Sequence, residues 1–152
     1  FEQATIGQIA PVLGVRETLQ ALRDEDWTIV IISGGFAPLI EPLARELGIA
    51  FVEAVPLHHD QAGLYTGYGA DYPTTRNGGK PQIIREWKQA MLPKFTMMVG
   101  DGISDWETHE EVDLFVGFGG VVARDAVKQK AGHFITDFSE LPALAKSLTK
   151  KK

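Results

Sequence analysis

Three short segments hold residue types suited to phosphate and cation chemistry. Ser33-Gly34-Gly35 follows the apolar run Ile29-Val30-Ile31-Ile32 and precedes a helical stretch. Glycines there let the backbone approach an oxyanion, the next helix start offers free N–H donors, and the Ser33 hydroxyl can donate as well. The same arrangement also makes an ordinary tight turn. Asn77-Gly78-Gly79-Lys80 opens a second helical stretch. A lysine at a helix start opposes the macrodipole by up to ~1 kcal/mol, which has a purpose if Lys80 faces an anion; a plain surface lysine is the other reading. Gly100-Asp101-Gly102-Ile103-Ser104-Asp105 places two carboxylates just beyond an apolar strand. Hard oxygen donors at such a turn suit Mg²⁺, which takes one or two carboxylates plus waters and substrate phosphate. An Asx-turn with a helix N-cap uses the same residues.

The elements that must position these segments alternate. Val15, Leu19 and Leu22 repeat at helical spacing, widened by Leu13 and Ala21. After the polar turn Asp24-Glu25-Asp26, the run from Trp27 to Ile32 is apolar on both faces, as expected of a buried parallel strand, and Ser33-Gly34-Gly35 ends it. Ala37 to Leu47 reads as a helix capped by Gly48, with Pro42 bending its entry. Ile49 to Val55 is a second strand, and 57–72 a hairpin or surface loop. Lys80 to Ala90 is a helix with Ile83, Ile84 and Trp87 inward; Phe95 to Val99 is a third strand, and Ser104 to Glu111 a short helix. Leu114 to Phe118 is a strand, Arg124 to Lys130 a helix, Phe134-Ile135 a last strand, and Ser139 to Leu148 a closing helix with Ser139 as its N-cap. This order predicts an α/β fold, doubly wound and Rossmann-like, with a mainly parallel sheet and helices on both faces. Ligands of such sheets bind beyond the carboxyl ends of the strands, where all three segments lie.

The order of the segments is more specific than any one of them. A strand then Ser-Gly-Gly, a helix start with lysine, and a strand then Gly-Asp-Gly-x-x-Asp together resemble the haloacid dehalogenase superfamily, and within it the phosphoserine phosphatases. Ile32-Ser33-Gly34-Gly35-Phe36 matches the second family motif, Gly78-Gly79-Lys80 the third and Gly100 to Asp105 the fourth. Further similarity runs through Phe115 to Gly120 and Phe134 to Phe138. The resemblance implies that Ser33 and the Gly34 amide hold phosphoryl oxygens, and that Lys80 neutralises the phosphate and the developing aspartyl-phosphate. It implies Asp101 as a ligand of Mg²⁺ and Asp105 as a support of the metal site. Ser104 is a weaker carry-over near the substrate. Chemistry of this kind is positioning and charge neutralisation.

One motif of that family is missing. Its nucleophile and general acid–base are two aspartates in an Asp-x-Asp-x-Thr motif placed after the first core strand. The literal match Asp24-Glu25-Asp26-Trp27-Thr28 is rejected, because here a helix precedes the aspartates and the strand follows them. At ~3.3 Å per residue that strand would put them roughly 20 Å from Ser33 and Asp101. The chain therefore reads as an N-terminally truncated core, a single domain over 1–152 in which residues 1–11 are a cap remnant. Without the missing strand the sheet carries two edges of unpaired N–H and C=O groups. A complementing N-terminal chain, a homodimer or rearranged strands would relieve them. The chain does not open on Met, which suggests a fragment, a processed product or an ordered core.

Composition sets the outer bounds. The 152 residues are 44% hydrophobic and 23% charged with net charge −5, an ordinary soluble composition that argues against a nucleic-acid surface. The absence of cysteine excludes disulfides, zinc-thiolate sites and thiol catalysis, and fits a cytoplasmic enzyme. No apolar run approaches the ~20 residues that span a bilayer. His58-His59-Asp60 reads as a surface loop, because adjacent strand residues point to opposite faces. His109 and His133 read as isolated and structural, Arg124 as a surface residue at a helix start, and the three tryptophans as core or its margin.

The expected function follows from the resemblance. A completed protein would be an Mg²⁺-dependent phosphomonoester hydrolase converting O-phospho-L-serine and water to L-serine and phosphate, with a place in serine biosynthesis. This chain alone is expected to be inactive. A non-catalytic phosphate- or partner-binding module of the same fold, or a truncated fragment, is the alternative. The partner class is a small phosphorylated metabolite, with no nucleic acid and no membrane.

Overall fold

Val15, Leu19 and Leu22 form the buried stripe of the first helix, α1 (Val15–Asp24). Leu13, expected to widen that stripe, lies before the helix and is exposed. A computed structural model describes residues 10–151. Nearly all of the segment read as a cap remnant, residues 1–11, therefore lies outside the described residues. The described residues divide into two compact units, one of residues 10–11 and 28–79, the other of 12–27 and 80–151.

In the unit of residues 28–79, β1 (Val30–Phe36) pairs in parallel with β2 (Phe51–Val55), with Val30 opposite Phe51 and Ile32 opposite Glu53. Helix α2 (Ala37–Glu46) joins the two strands and packs on both. It ends where the Gly48 N–H bonds the Arg45 carbonyl and the Ile49 N–H bonds that of Ala44, closing the last turn. Pro42 lies inside this helix without ending it. An antiparallel hairpin follows, β3 (Leu57–His59) and β4 (Tyr65–Tyr68), its loop held by Asp60, whose Oδ1 accepts from the Ala62 and Leu64 amides. A 3-10 turn at Pro73–Thr75 then packs against β1 and β2.

The other unit holds α1 and the remainder of the chain. Helix α3 (Gly79–Met91) leads to β5 (Met97–Gly100), the short α4 (Ile103–Trp106) and a 3-10 turn, Glu107–Glu110. Then come β6 (Leu114–Phe118), α5 (Asp125–Lys130), β7 (His133–Ile135), a 3-10 turn (Phe138–Glu140) and α6 (Leu141–Lys150). The strands form a parallel sheet in the order β5-β6-β7. Its core is Val116, Ile135 and Leu141, with Met97, Val99, Leu114, Phe118, Phe138 and Leu144 packed around them. Helix α1 packs on α6.

The architecture is the expected Rossmann-like α/β arrangement of parallel strands and connecting helices. Four details differ from the sequence reading. Strand β1 does not stop at Ser33 but continues through Gly34 and Gly35 to Phe36, with a register irregularity after Ile32; glycines suit the bulge that keeps the strand extended. Ser139 does not cap α6: its amide donates to the Asp137 carboxylate, which caps the intervening 3-10 turn. The parallel strands form separate sheets, β1-β2 and β5-β6-β7, rather than one. The fourth difference follows from the third. Val30 to Ile32, read as part of a buried strand, are half-buried, as are Met97 to Val99, while the middle of β6 is buried. Among the described residues β1 pairs only with β2 and β5 only with β6, so each is an edge strand.

Candidate functional site

Lys80 and Asp105 form the best-defined polar pair of the unit that contains them. Lys80 stands in the first turn of α3, where the dipole disfavours a cation. Its Nζ lies 2.5 Å from Asp105 Oδ1, and the two side chains are only 12% and 10% exposed. The anion that the position of Lys80 called for is thus supplied by the protein itself. A nearly buried, charge-assisted bond of this length fixes the ammonium group in place.

Asp105 is held from the other side. Its Oδ2 accepts the Gly102 amide at 3.0 Å, and its own amide donates to the Gly102 carbonyl. This closes the turn between β5 and α4. Gly100 makes the closure possible, because a Cβ at that position would run into the Asp105 side chain. The motif spacing therefore has a packing reason: the buried carboxylate occupies the space of the absent side chain. Each Asp105 oxygen thus accepts one bond, Oδ1 from Lys80 and Oδ2 from the Gly102 amide, so the carboxylate supports both the turn and the ammonium group.

Asp101 differs. Its side chain is 46% exposed, and Oδ2 lies 3.5 Å from the Arg124 Nε. Arg124, read from sequence as a plain surface residue, thus stands next to the one exposed carboxylate of this turn. Ser104 is exposed at the start of α4. No group of three or more His, Asp or Glu side chains that could hold a metal occurs among the described residues. The donors present fit Mg²⁺ in the manner of a cation that takes one protein carboxylate and completes its shell with water and phosphate oxygens. Asp101 would hold it.

Ser33 and Gly34 belong to the other unit. Ser33 is half-buried near the end of β1, and Gly34 and Gly35 are exposed. The Ser33 Oγ accepts the Gly35 amide at 3.0 Å, which leaves the hydroxyl proton free to donate outward. The neighbouring 3-10 turn holds two features that sequence reading missed. Tyr72 donates its hydroxyl to the Glu53 carboxylate on β2, and the Thr74 Oγ1 is buried without a partner among the described residues. Hydroxyls are common and their burial is tertiary, so no local pattern announces either.

The minor candidates resolve simply. Asp24 accepts from the Gln20 side chain at the end of α1, and Asp26 takes a left-handed turn at φ 63°, so the literal Asp-x-Asp match is a helix-ending turn. His58 and His59 are exposed on β3. His109 is not isolated: it stacks on Trp106 at 4.1 Å, with the Lys130 ammonium 4.3 Å from the same indole ring.

Known proteins are similar to this chain in sequence and in fold. Phosphoserine phosphatase of Bos taurus is 37% identical over 132 residues, and that of Homo sapiens 36%; each match covers 84% of this chain and 58% of the other protein. The chain thus spans less than two thirds of the length of these relatives. A crystal structure of phosphoserine phosphatase in apo form superposes with a TM-score of 0.80 at 23% identity, covering 95% of this chain and 70% of that one, which is a likeness of fold. The sequence model described as haloacid dehalogenase-like hydrolase matches residues 1–109. The chain belongs to the haloacid dehalogenase-like hydrolase family.

Proposed function

We propose that this chain supplies the phosphate- and cation-binding part of an Mg²⁺-dependent phosphomonoester hydrolase of phosphoserine phosphatase type, one that converts O-phospho-L-serine and water to L-serine and phosphate. The observation that carries the reading is the Lys80–Asp105 pair, a fixed ammonium group at the turn that also presents Asp101. The similarity to the bovine and human enzymes supports the substrate class. In this reading the Ser33 hydroxyl and Gly34 amide hold phosphoryl oxygens, Lys80 neutralises charge on the transferring group, Asp101 ligates the cation, and Ser104 lies near the substrate. Asp105 acts by holding Lys80 and the turn. A bound Mg²⁺ would offset the charge of the phosphoryl oxygens and orient them.

Among the described residues no Asp-x-Asp-x-Thr motif follows a core strand, so the attacking aspartate would come from a segment outside them. The chain alone is then inactive. The same segment, or a second copy of the chain, would cover the open edges of β1 and β5. The test is phosphate release from O-phospho-L-serine in Mg²⁺, first by the purified chain and then with the portion of bovine phosphoserine phosphatase that it does not span supplied as a separate chain. We expect release only from the mixture, lost on Lys80→Ala and on chelation. Turnover by the chain alone, abolished by Asp101→Ala, would refute the inactivity; no release from a mixture shown to associate would refute the catalytic reading. Binding of phosphate without turnover would instead favour a non-catalytic module.

A further inference from the structure

We propose that Arg124 sets the affinity of the Asp101 carboxylate for Mg²⁺, acting as a built-in competitor for that carboxylate; the inference rests on the reading of Asp101 as the cation ligand. The Arg124 Nε lies 3.5 Å from Asp101 Oδ2, and both residues belong to the unit of residues 12–27 and 80–151. Their side chains are 57% and 46% exposed, so each is open to other partners.

Local stability gives Arg124 no reason to stand where it does. It is the residue just before the first turn of α5, and a cation at a helix start opposes the macrodipole. Its backbone is fixed there: the Arg124 carbonyl accepts the Val127 and Lys128 amides, and Val127 is fully buried. Helix α5 packs on α4, and the Lys130 ammonium lies 4.3 Å from the Trp106 ring. The Lys128 ammonium lies 5.9 Å from the Phe134 ring. Of these three cations, Arg124 is the one set against a carboxylate among the described residues.

That carboxylate is the one open to a metal ion. Asp105 is nearly buried against Lys80, whereas Asp101 faces solvent beside the same turn. Mg²⁺ binds carboxylate oxygen directly and gives up its water reluctantly, so its affinity is sensitive to charge nearby. Two cations that share one carboxylate repel, and each lowers the affinity of the carboxylate for the other. An exposed ion pair is weak. Arg124 therefore does not block Asp101; it raises the Mg²⁺ concentration at which Asp101 is taken.

The experiment is calorimetric titration of the full chain with MgCl₂ at fixed ionic strength, for the unaltered chain and for R124Q, R124K, K128Q and D101N, with thermal melting of each. We expect R124Q to bind Mg²⁺ about 2- to 5-fold more tightly, the span of one exposed ion pair. R124K keeps the charge and should fall nearer the unaltered chain than R124Q does. K128Q removes a charge of the same helix that lies over Phe134, and should bind as the unaltered chain does. D101N should not bind, and added salt should narrow the gap between R124Q and the unaltered chain. Binding by R124Q no tighter than by the unaltered chain, with D101N unable to bind, overturns the inference and leaves Asp101 as the ligand. Equal tightening in R124Q and K128Q overturns it in favour of net charge alone, and equal tightening in R124Q and R124K overturns competition by charge. Weaker binding with a lower melting temperature in R124Q marks Arg124 as a structural tie, which also overturns it. No Mg²⁺ binding by either the unaltered chain or R124Q overturns both the inference and the cation reading. Should R124Q fail to fold, R124M makes the same comparison.

Discussion

Lys80 stands in the first turn of a helix, and Asp105 makes that position tolerable. Removing one member of a nearly buried pair strands the other charge, at a cost of about 3 kcal/mol. Asp105→Ala should therefore lower the unfolding free energy by about that amount, and Lys80→Met in the same chain should return part of it; urea unfolding of the two variants measures both. The pair was legible only in part. The sequence showed a lysine against the dipole and an aspartate after a glycine turn, but their contact spans 25 positions of chain and no local pattern encodes it. A second carboxylate has a plainer part. The Ser139 amide, and after it the Ser139 hydroxyl, holds the Asp137 carboxyl below its ordinary value. A carboxyl lowered by folding adds stability at neutral pH and loses it as pH falls through the folded value. Asp137→Asn should accordingly narrow the stability gap between neutral and acid solution, read as the shift in urea midpoint between the two. The group is exposed, so the effect is small.

At the scale of elements, the turn from β5 into α4 is set by what its glycines leave out. Gly100 faces the Asp105 side chain so closely that a methyl group has no room. Gly100→Ala should destabilise the chain by about 2 kcal/mol through overpacking and should displace Asp105 from Lys80. Denaturant unfolding checks the first, and amide exchange at Gly102, whose N–H bonds Asp105, checks the second. The helices were legible because a repeated apolar stripe is local: Val15, Leu19 and Leu22 are buried as their spacing implies. The strand ends were less so. Ser33-Gly34-Gly35 looks like a stop, yet pairing of Phe36 with Val55 carries β1 through it. Strand limits depend on a partner that the strand's own residues do not name.

At the scale of the molecule, the telling feature is that two apolar strands, β1 and β5, are edges of their sheets among the described residues. Val30 to Ile32 of β1 and Met97 to Val99 of β5 are half-buried although their composition is that of interior strands. Unpaired apolar edges are templates for further pairing. The purified chain should therefore associate as its concentration rises, read by sedimentation velocity, and a complementing segment should suppress that association. A chain that stays monomeric throughout the micromolar to millimolar range would count against any need for a partner strand.

Whatever repeats or abuts locally was readable from the residues alone: the alternation of helices and strands, the helix stripes, and the three segments whose order marks the family. Those signals lie within a few residues of one another, and backbone geometry alone relates them. The tertiary structure decided what depends on distant partners. It placed Asp105 rather than a ligand as the anion beside Lys80, and put Arg124 against Asp101. It also left β1 and β5 with open edges and buried the Thr74 hydroxyl in a turn packed on β1. Burial and pairing are properties of packing, and packing is settled only when segments far apart in the chain come together.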